Sequence, residues 1–191
     1  MIVHYTQLGK VREENPSKKL VFFDGTFELL NTGHIELVKN LHLFGDVIVV
    51  GVLSDEWIWR RKKHKRPFVP GEDRLVVADA IKYIDYATLL DDKGQKRRVK
   101  TSEALDILRP DVYVSYDDLW VEREKELNDR GIQLRLYPRD FPPPSTPVKP
   151  GFTTALVERI LAAHGCEKEA LEQVPKPEEE HGDKKSRIYY E

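Results

Sequence analysis

The sequence predicts an α/β domain in which one parallel sheet of five strands carries helices on both faces. Two observations predict it. Short apolar runs, of the kind that fill strands buried on both sides, occur five times. Segments with helical spacing separate them, several stopped by proline or glycine. Strands alternating with helices imply right-handed crossovers and a Rossmann-like, doubly wound sheet.

The elements follow in order. Leu20 to Phe23 is a short apolar run and the first strand. Gly33 to Phe44 places Ile35, Val38 and Leu41 at helical spacing, with Leu37 and Phe44 widening the apolar face. Asp46 to Leu53 (DVIVVGVL) is the clearest strand. Glu72 to Ile84 reads as a helix, Ala87 to Leu90 as a strand, and Thr101 to Leu108 as a helix stopped by Pro110. Val112 to Ser115 is a strand, Trp120 to Arg130 a helix ended by Gly131, and Gln133 to Tyr137 the fifth strand. A helix over Thr153 to Ala163 closes the domain. Residues 1–18 are mixed and polar and read as an N-terminal extension, residues 19–164 as the domain, and residues 165–191 as a charged tail of disordered composition.

Composition narrows the function classes. A chain of 191 residues with 40% hydrophobic and 34% charged residues can enclose one core beneath a charged surface. The net charge of -2 argues against a dedicated nucleic-acid binder. Cys166 is the one cysteine, so no intramolecular disulfide can form, which fits a reducing cytoplasm. No apolar run approaches the roughly 18 residues that a membrane span needs.

Doubly wound sheets bind ligands beyond the carboxyl ends of their strands. There the first strand runs into DGTFELLNTGHIELV, Asp24 to Val38. Gly25 leaves the backbone open to close approach, and Gly33 and His34 fall at the start of the next helix, where N–H groups and the helix dipole favour phosphate. An imidazole there can donate to a phosphate oxygen; taken alone, it is as readily a cap or a surface residue.

The segment resembles the nucleotide-binding signature of the cytidylyltransferase-like nucleotidyltransferases, Gly-Thr-Phe-Asp-x-x-His-x-Gly-His, with Asn31 in place of the first histidine. The resemblance implies that Thr26 and Phe27 line the nucleotide pocket, that His34 is the catalytic histidine, and that Asn31 is a neutral donor to phosphate. A second block, Arg60 to Leu90, is similar to the family's lysine-rich loop followed by Pro-x-x-Pro-x-Glu-x-Arg. Aligned through Arg74, it implies Lys63 on the acceptor phosphate and Lys65 on the nucleotide, with Arg74 and Lys82 also serving the acceptor. Otherwise it is a basic loop and an amphipathic helix; Trp57 and Trp59 would either pack that loop down or serve as ordinary core or surface packing. A third block, LRPDVYVSYDDLW, implies Asp117 or Asp118 at a ribose hydroxyl or a metal. In the last, Arg139, Thr153 and Thr154 match an arginine and two threonines that bind nucleotide, with Phe152 in place of serine and a proline-rich insertion, Pro142 to Pro150.

The resemblance covers Leu20 to Ile160 and implies direct attack of a phosphate-monoester oxygen on the α-phosphorus, with pyrophosphate leaving. Mg²⁺ would be carried in with the nucleotide. CTP with a glycerol-phosphate-like acceptor is the first expectation, because GTFELL, the lysine loop and the Asp-Asp-x-Trp turn resemble glycerol-3-phosphate cytidylyltransferases, and ATP is the alternative. ATP with a sugar phosphate fits the ending TTALVERI, as in heptose-phosphate adenylyltransferases. The rival class is a nucleotide-binding module weakened in catalysis, with Asn31 the reason. A homodimer is what the resemblance suggests for assembly.

Overall fold

Six strands form one sheet in the order β4-β3-β2-β1-β5-β6. They are β1 (Leu20–Gly25), β2 (Val47–Leu53), β3 (Tyr86–Asp92), β4 (Arg97–Arg98), β5 (Val112–Ser115) and β6 (Gln133–Leu136). Five run parallel, and only the two-residue β4 is antiparallel, on β3. The computed structural model describes residues 1–61, 66–92, 97–116, 118–143 and 152–163. The helices are α1 (Leu8–Glu14), α2 (Thr32–Asn40), α3 (Asp55–Arg61), α4 (Gly71–Asp79), α5 (Thr101–Leu108), α6 (Glu124–Asp129) and α7 (Phe152–Ala163).

The alternation of side chains along each strand sorts the core into two layers. Leu20, Phe22, Val47, Val49 and Tyr113 face α1, α3, α5 and α6. Val21, Phe23, Ile48, Val50, Val112 and Val114 face α2 and α4. β2 is buried along its whole length, as a central parallel strand must be. Gly51 is required within it, because a Cβ there would lie 2.8 Å from Phe22 and 2.9 Å from Leu90.

Four segments depart from the sequence expectation. The first 18 residues, read as an extension, dock on the domain: Tyr5, Leu8 and Val11 are buried in the first core layer, and Ile2 bridges in parallel to Ala87. A helix, α3, occupies Asp55–Arg61 at the head of the basic stretch. Ser54 Oγ accepts from the Trp57 N–H at 3.3 Å, Ile58 anchors the inner face, and Arg60 pairs with Glu56 one turn earlier. The helix expected over Trp120–Arg130 is short, a 3₁₀ turn at Asp118–Trp120 preceding α6. The helix expected to reach Ile84 ends at Asp79, and Ile81 and Ile84 drop into the core as a turn.

The sheet winds outward from β1 through β2 to β3, then returns to the other side of β1 for β5 and β6. The carboxyl ends of β1 and β5 therefore flank the point where the winding reverses, the place where doubly wound sheets bind ligands.

Candidate active site

At the carboxyl end of β1, Asp24 turns toward the first layer. Its carboxylate accepts from Tyr113 Oη at 2.8 Å and Thr101 Oγ1 at 2.7 Å, which pins the start of α5 to the rim of the sheet. Gly25 follows; a Cβ there would stand 3.3–3.4 Å from the Phe23 and Phe27 rings, tighter than most contacts.

The chain then contorts. Phe27 (φ 52°) and Leu29 (φ 51°) both adopt left-handed conformations, which cost a non-glycine residue about 1–3 kcal/mol each. Two buried side chains hold the loop against that cost. Arg74, 1% exposed, donates to the Thr26 carbonyl at 2.5 Å, to those of Val69 and Leu53 at 2.9 and 2.8 Å, and to Asp55 at 2.5 Å. Glu28, 3% exposed, accepts from Arg66 Nε at 2.7 Å and from the Phe68 and Val69 N–H groups at 2.5 and 2.9 Å. These contacts weld the segment 66–74 onto the loop between β1 and α2.

α2 begins at the far end of this loop. Asn31 Oδ1 caps the helix by accepting from the Gly33 N–H at 3.0 Å, and His34 closes the box, its Nδ1 accepting from the Asn31 N–H at 3.2 Å. An accepting Nδ1 is unprotonated, so the ring proton sits on Nε2 and leaves it as a donor. Burial, and then the charge of Arg66, hold the His34 pKa below its usual range. The Asn31 Nδ2 is buried with no hydrogen-bond partner. Exchanging the amide O and N would set a donor against the Gly33 N–H, so the cap fixes which atom is the orphan.

The residues expected at the site thus divide. His34, Asn31, Gly33, Gly25 and Thr26 gather at the β1–α2 junction. The Gly33 N–H, expected to be open to phosphate, is taken by the cap. Phe27 is 7% exposed with its ring edge-on to Phe23, so its side chain belongs to the core. Arg74, expected at the acceptor, turns its guanidinium inward onto three carbonyls and Asp55. Lys82, also expected there, precedes β3, whose first residue pairs with Val49 near the start of β2, so it stands at the amino rim, exposed beside the Tyr83 ring. Arg139 follows β6 at the carboxyl rim, and its guanidinium is bonded to Asp140. Thr153 and Thr154 lie in the first turn of α7, and Asp118 opens the 3₁₀ turn after β5. Lys63, Lys65 and Asp117 lie outside the described residues.

Sequence reasoning passed over Glu28, Arg66 and Tyr116. Glu28 was findable: an acidic residue inside Phe27–Leu30 has to be paired if the segment is buried. Tyr116 follows β5, half exposed, with ring centroids 5.6 Å from Phe23 and 5.1 Å from Tyr137, which continues to Phe141. These rings make an aromatic floor beside the reversal point. Among the described residues, no group of three or more histidine, cysteine or carboxylate side chains is arranged to hold a metal. None of their helices is long and apolar enough to cross a membrane.

Residues 22–164 match the family model described as cytidylyltransferase-like. The chain is 33% identical over 156 residues to the bifunctional protein HldE of Citrifermentans bemidjiense, and 30% identical over 158 residues to that of Geobacter metallireducens. These alignments cover 80% and 81% of the chain but 29% of each relative, so the chain spans less than a third of their length. A lipopolysaccharide core biosynthesis protein of Thermoplasma volcanium superposes with a TM-score of 0.51 at 26% identity, covering 63% of the chain and 94% of that protein. A pantoate-beta-alanine ligase of Francisella tularensis shares the fold, with a TM-score of 0.52 at 16% identity over 79% of the chain and 69% of its own.

Proposed function

The chain belongs to the cytidylyltransferase-like family, and from that premise we propose that it transfers a nucleoside monophosphate from a nucleoside triphosphate to a phosphorylated small molecule. An oxygen of the acceptor phosphate attacks the α-phosphorus, the bond from that phosphorus to the bridging β-oxygen breaks, and pyrophosphate leaves with the electron pair. The observation that carries this reading is the β1–α2 junction, where His34 Nε2 is held as a neutral donor at a helix start on the carboxyl rim. A donor fixed before substrate arrives can stabilise charge developing on the α-phosphate without reorganising. Mg²⁺ would come with the triphosphate, held by its phosphate oxygens and water rather than by a protein cage.

ATP with a sugar-phosphate acceptor is the preferred pair. The TTALVERI ending resembles heptose-phosphate adenylyltransferases, both relatives cited above are HldE proteins, and the Thermoplasma volcanium structure is that of a lipopolysaccharide core biosynthesis protein. CTP with a glycerol-phosphate-like acceptor is the alternative. A homodimer is the assembly we expect; sedimentation of a 22.2 kDa species alone at micromolar concentration would exclude it.

The test is pyrophosphate release with Mg²⁺, ATP or CTP, and a panel of phosphorylated sugars and alcohols. Release with ATP and a sugar phosphate is expected, reduced about 10²–10³-fold in kcat by His34→Ala, as for loss of one oriented donor. Asn31 favours one rival reading, a binding module, because its oxygen is committed to the helix cap and its amide cannot carry charge. Tight nucleotide binding without release for any pair, unchanged by Asn31→His, would favour the module.

A further inference from the structure

A single exposed tyrosine on a protein surface needs no explanation. Tyr116 differs in where it stands and in what holds it. β5 pairs with β1 through Val114 and Phe23, and two residues further on that register sets Tyr116 level with Gly25. It therefore stands at the carboxyl rim, one strand over from the loop that leads to His34, roughly 5 Å to the side of β1. Its ring packs edge-on to Phe23 at 5.6 Å and to Tyr137 at 5.1 Å. Both of those rings pack in the second core layer, the layer that α2 covers. Tyr116 is thus on the same face of the sheet as the helix that carries His34, and 50% of it remains exposed.

The ring is also set in place before any ligand arrives. Two edge-on neighbours confine it, and Tyr137 is itself backed by Phe141 at 5.1 Å. Stacking on such a ring costs little of the rotamer freedom that a loose surface side chain would lose. Gly25, level with it on β1, has no side chain to rise between Tyr116 and the loop. Phosphate gains nothing from an aromatic ring, which leaves the base and the sugar of the substrates as occupants. A base is the better match, because planar π systems pack closely on one another whereas a puckered, hydroxylated sugar covers a ring less completely.

Resting on the nucleotidyl transfer proposed above, we infer that Tyr116 stacks against the base of the nucleoside triphosphate and biases the site toward a purine. The two fused rings of a purine overlap the phenol ring over a larger area than the single ring of a pyrimidine. Apolar burial and dispersion then both favour ATP over CTP. Tyr116 is a specificity-determining residue in this arrangement: it acts on which base binds and takes no part in moving the phosphoryl group. Stacking senses flatness and size, so it separates purine from pyrimidine without reading the groups on the base edge.

Calorimetric binding of ATP, CTP and inorganic tripolyphosphate to the wild-type protein, Tyr116→Phe and Tyr116→Leu tests the assignment. Tyr116→Leu is expected to weaken ATP about tenfold or more, CTP about threefold, and tripolyphosphate less than about twofold. Tyr116→Phe keeps the ring and is expected to keep the ratio of ATP to CTP affinity. A ratio left unchanged by Tyr116→Leu would overturn the inference, and so would an equal loss for tripolyphosphate. A transfer assay in which Tyr116→Leu raises KM for the acceptor alone would overturn it too. Should Tyr116→Leu fail to fold, ring-proton spectra of the wild type decide. ATP must shift the Tyr116 ring signals upfield, and further than CTP does; signals that stay put overturn the assignment. Stacking of ATP on Tyr116 with no transfer to any acceptor would support the inference and defeat the proposed function alone. Nucleotidyl transfer with the wild-type ATP preference in Tyr116→Leu would defeat the inference alone.

Discussion

His34 ties the pH response of the fold to that of the site. Its Nδ1 must be unprotonated to accept from the Asn31 N–H, and burial followed by the Arg66 charge lowers its pKa. With the folded pKa below the unfolded value of about 6.5, the unfolded chain binds the proton more readily. The stability this residue confers is therefore complete above about pH 6.5 and declines as pH falls toward the lowered folded value. Urea unfolding from pH 7.5 to 5 should show this decline, and His34→Gln should flatten it. An identical slope in the variant would mean that the imidazole is not buried as a neutral ring. Arg74 carries the larger structural share. Arg74→Met leaves three carbonyls without the guanidinium donor and Asp55 without its ion pair, and releases the strained loop. We expect a loss of about 3–5 kcal/mol, the range for breaking a buried charge network, read from the urea midpoint.

At the scale of elements, the strands were legible because burial on both faces writes itself as an unbroken apolar run. LVFF, VIVVGVL and VYVS in β1, β2 and β5 leave no other reading. α1 and α3 were not legible. Each has seven residues, and a charged outer face dominates so short a window: α1 shows Lys10, Arg12 and Glu13 around Leu8 and Val11. The site was half legible for a related reason. Phosphate-binding signals at a strand–helix junction are local in sequence, so His34, Asn31 and Gly25 could be found. The Glu28–Arg66 pair joins residues 38 apart, and the inward turn of Arg74 depends on a carbonyl 48 residues away; neither has a local signature. Leu8 measures what α1 contributes. It is fully buried, and α1 packs along α5. Leu8→Ala should cost about 2–5 kcal/mol, the range for opening a cavity in a packed core. A change below about 1 kcal/mol would mean that the segment is only loosely docked.

Across the whole molecule the two ends of the sheet have different tasks. The carboxyl rim holds the strained loop, the helix cap and the unpartnered Asn31 amide nitrogen. The amino rim is bound by structural contacts: Asp111 accepts from Arg12 at 2.6 Å and from the Leu20 N–H at 2.7 Å, and Asp85 accepts from the Ile48 N–H at 2.8 Å. Residues 1–14 belong to this second end, since Val3 pairs with the Ala87 carbonyl at 2.9 Å and covers the open edge of β3 near its start. Stability and ligand binding should therefore separate on truncation. Removing residues 1–14 exposes the first core layer and the β3 edge, and should lower Tm by several degrees, about 2–4 °C for each kcal/mol lost. ATP at 100 times its Kd should still stabilise the shortened chain by about 2.7 kcal/mol, as in the full chain, because mass action depends on the site alone. Thermal unfolding with and without ATP measures both quantities on one sample. An ATP-induced shift that vanished while the apo protein still melted cooperatively would show that the amino-rim segment reaches the carboxyl-rim site through the sheet.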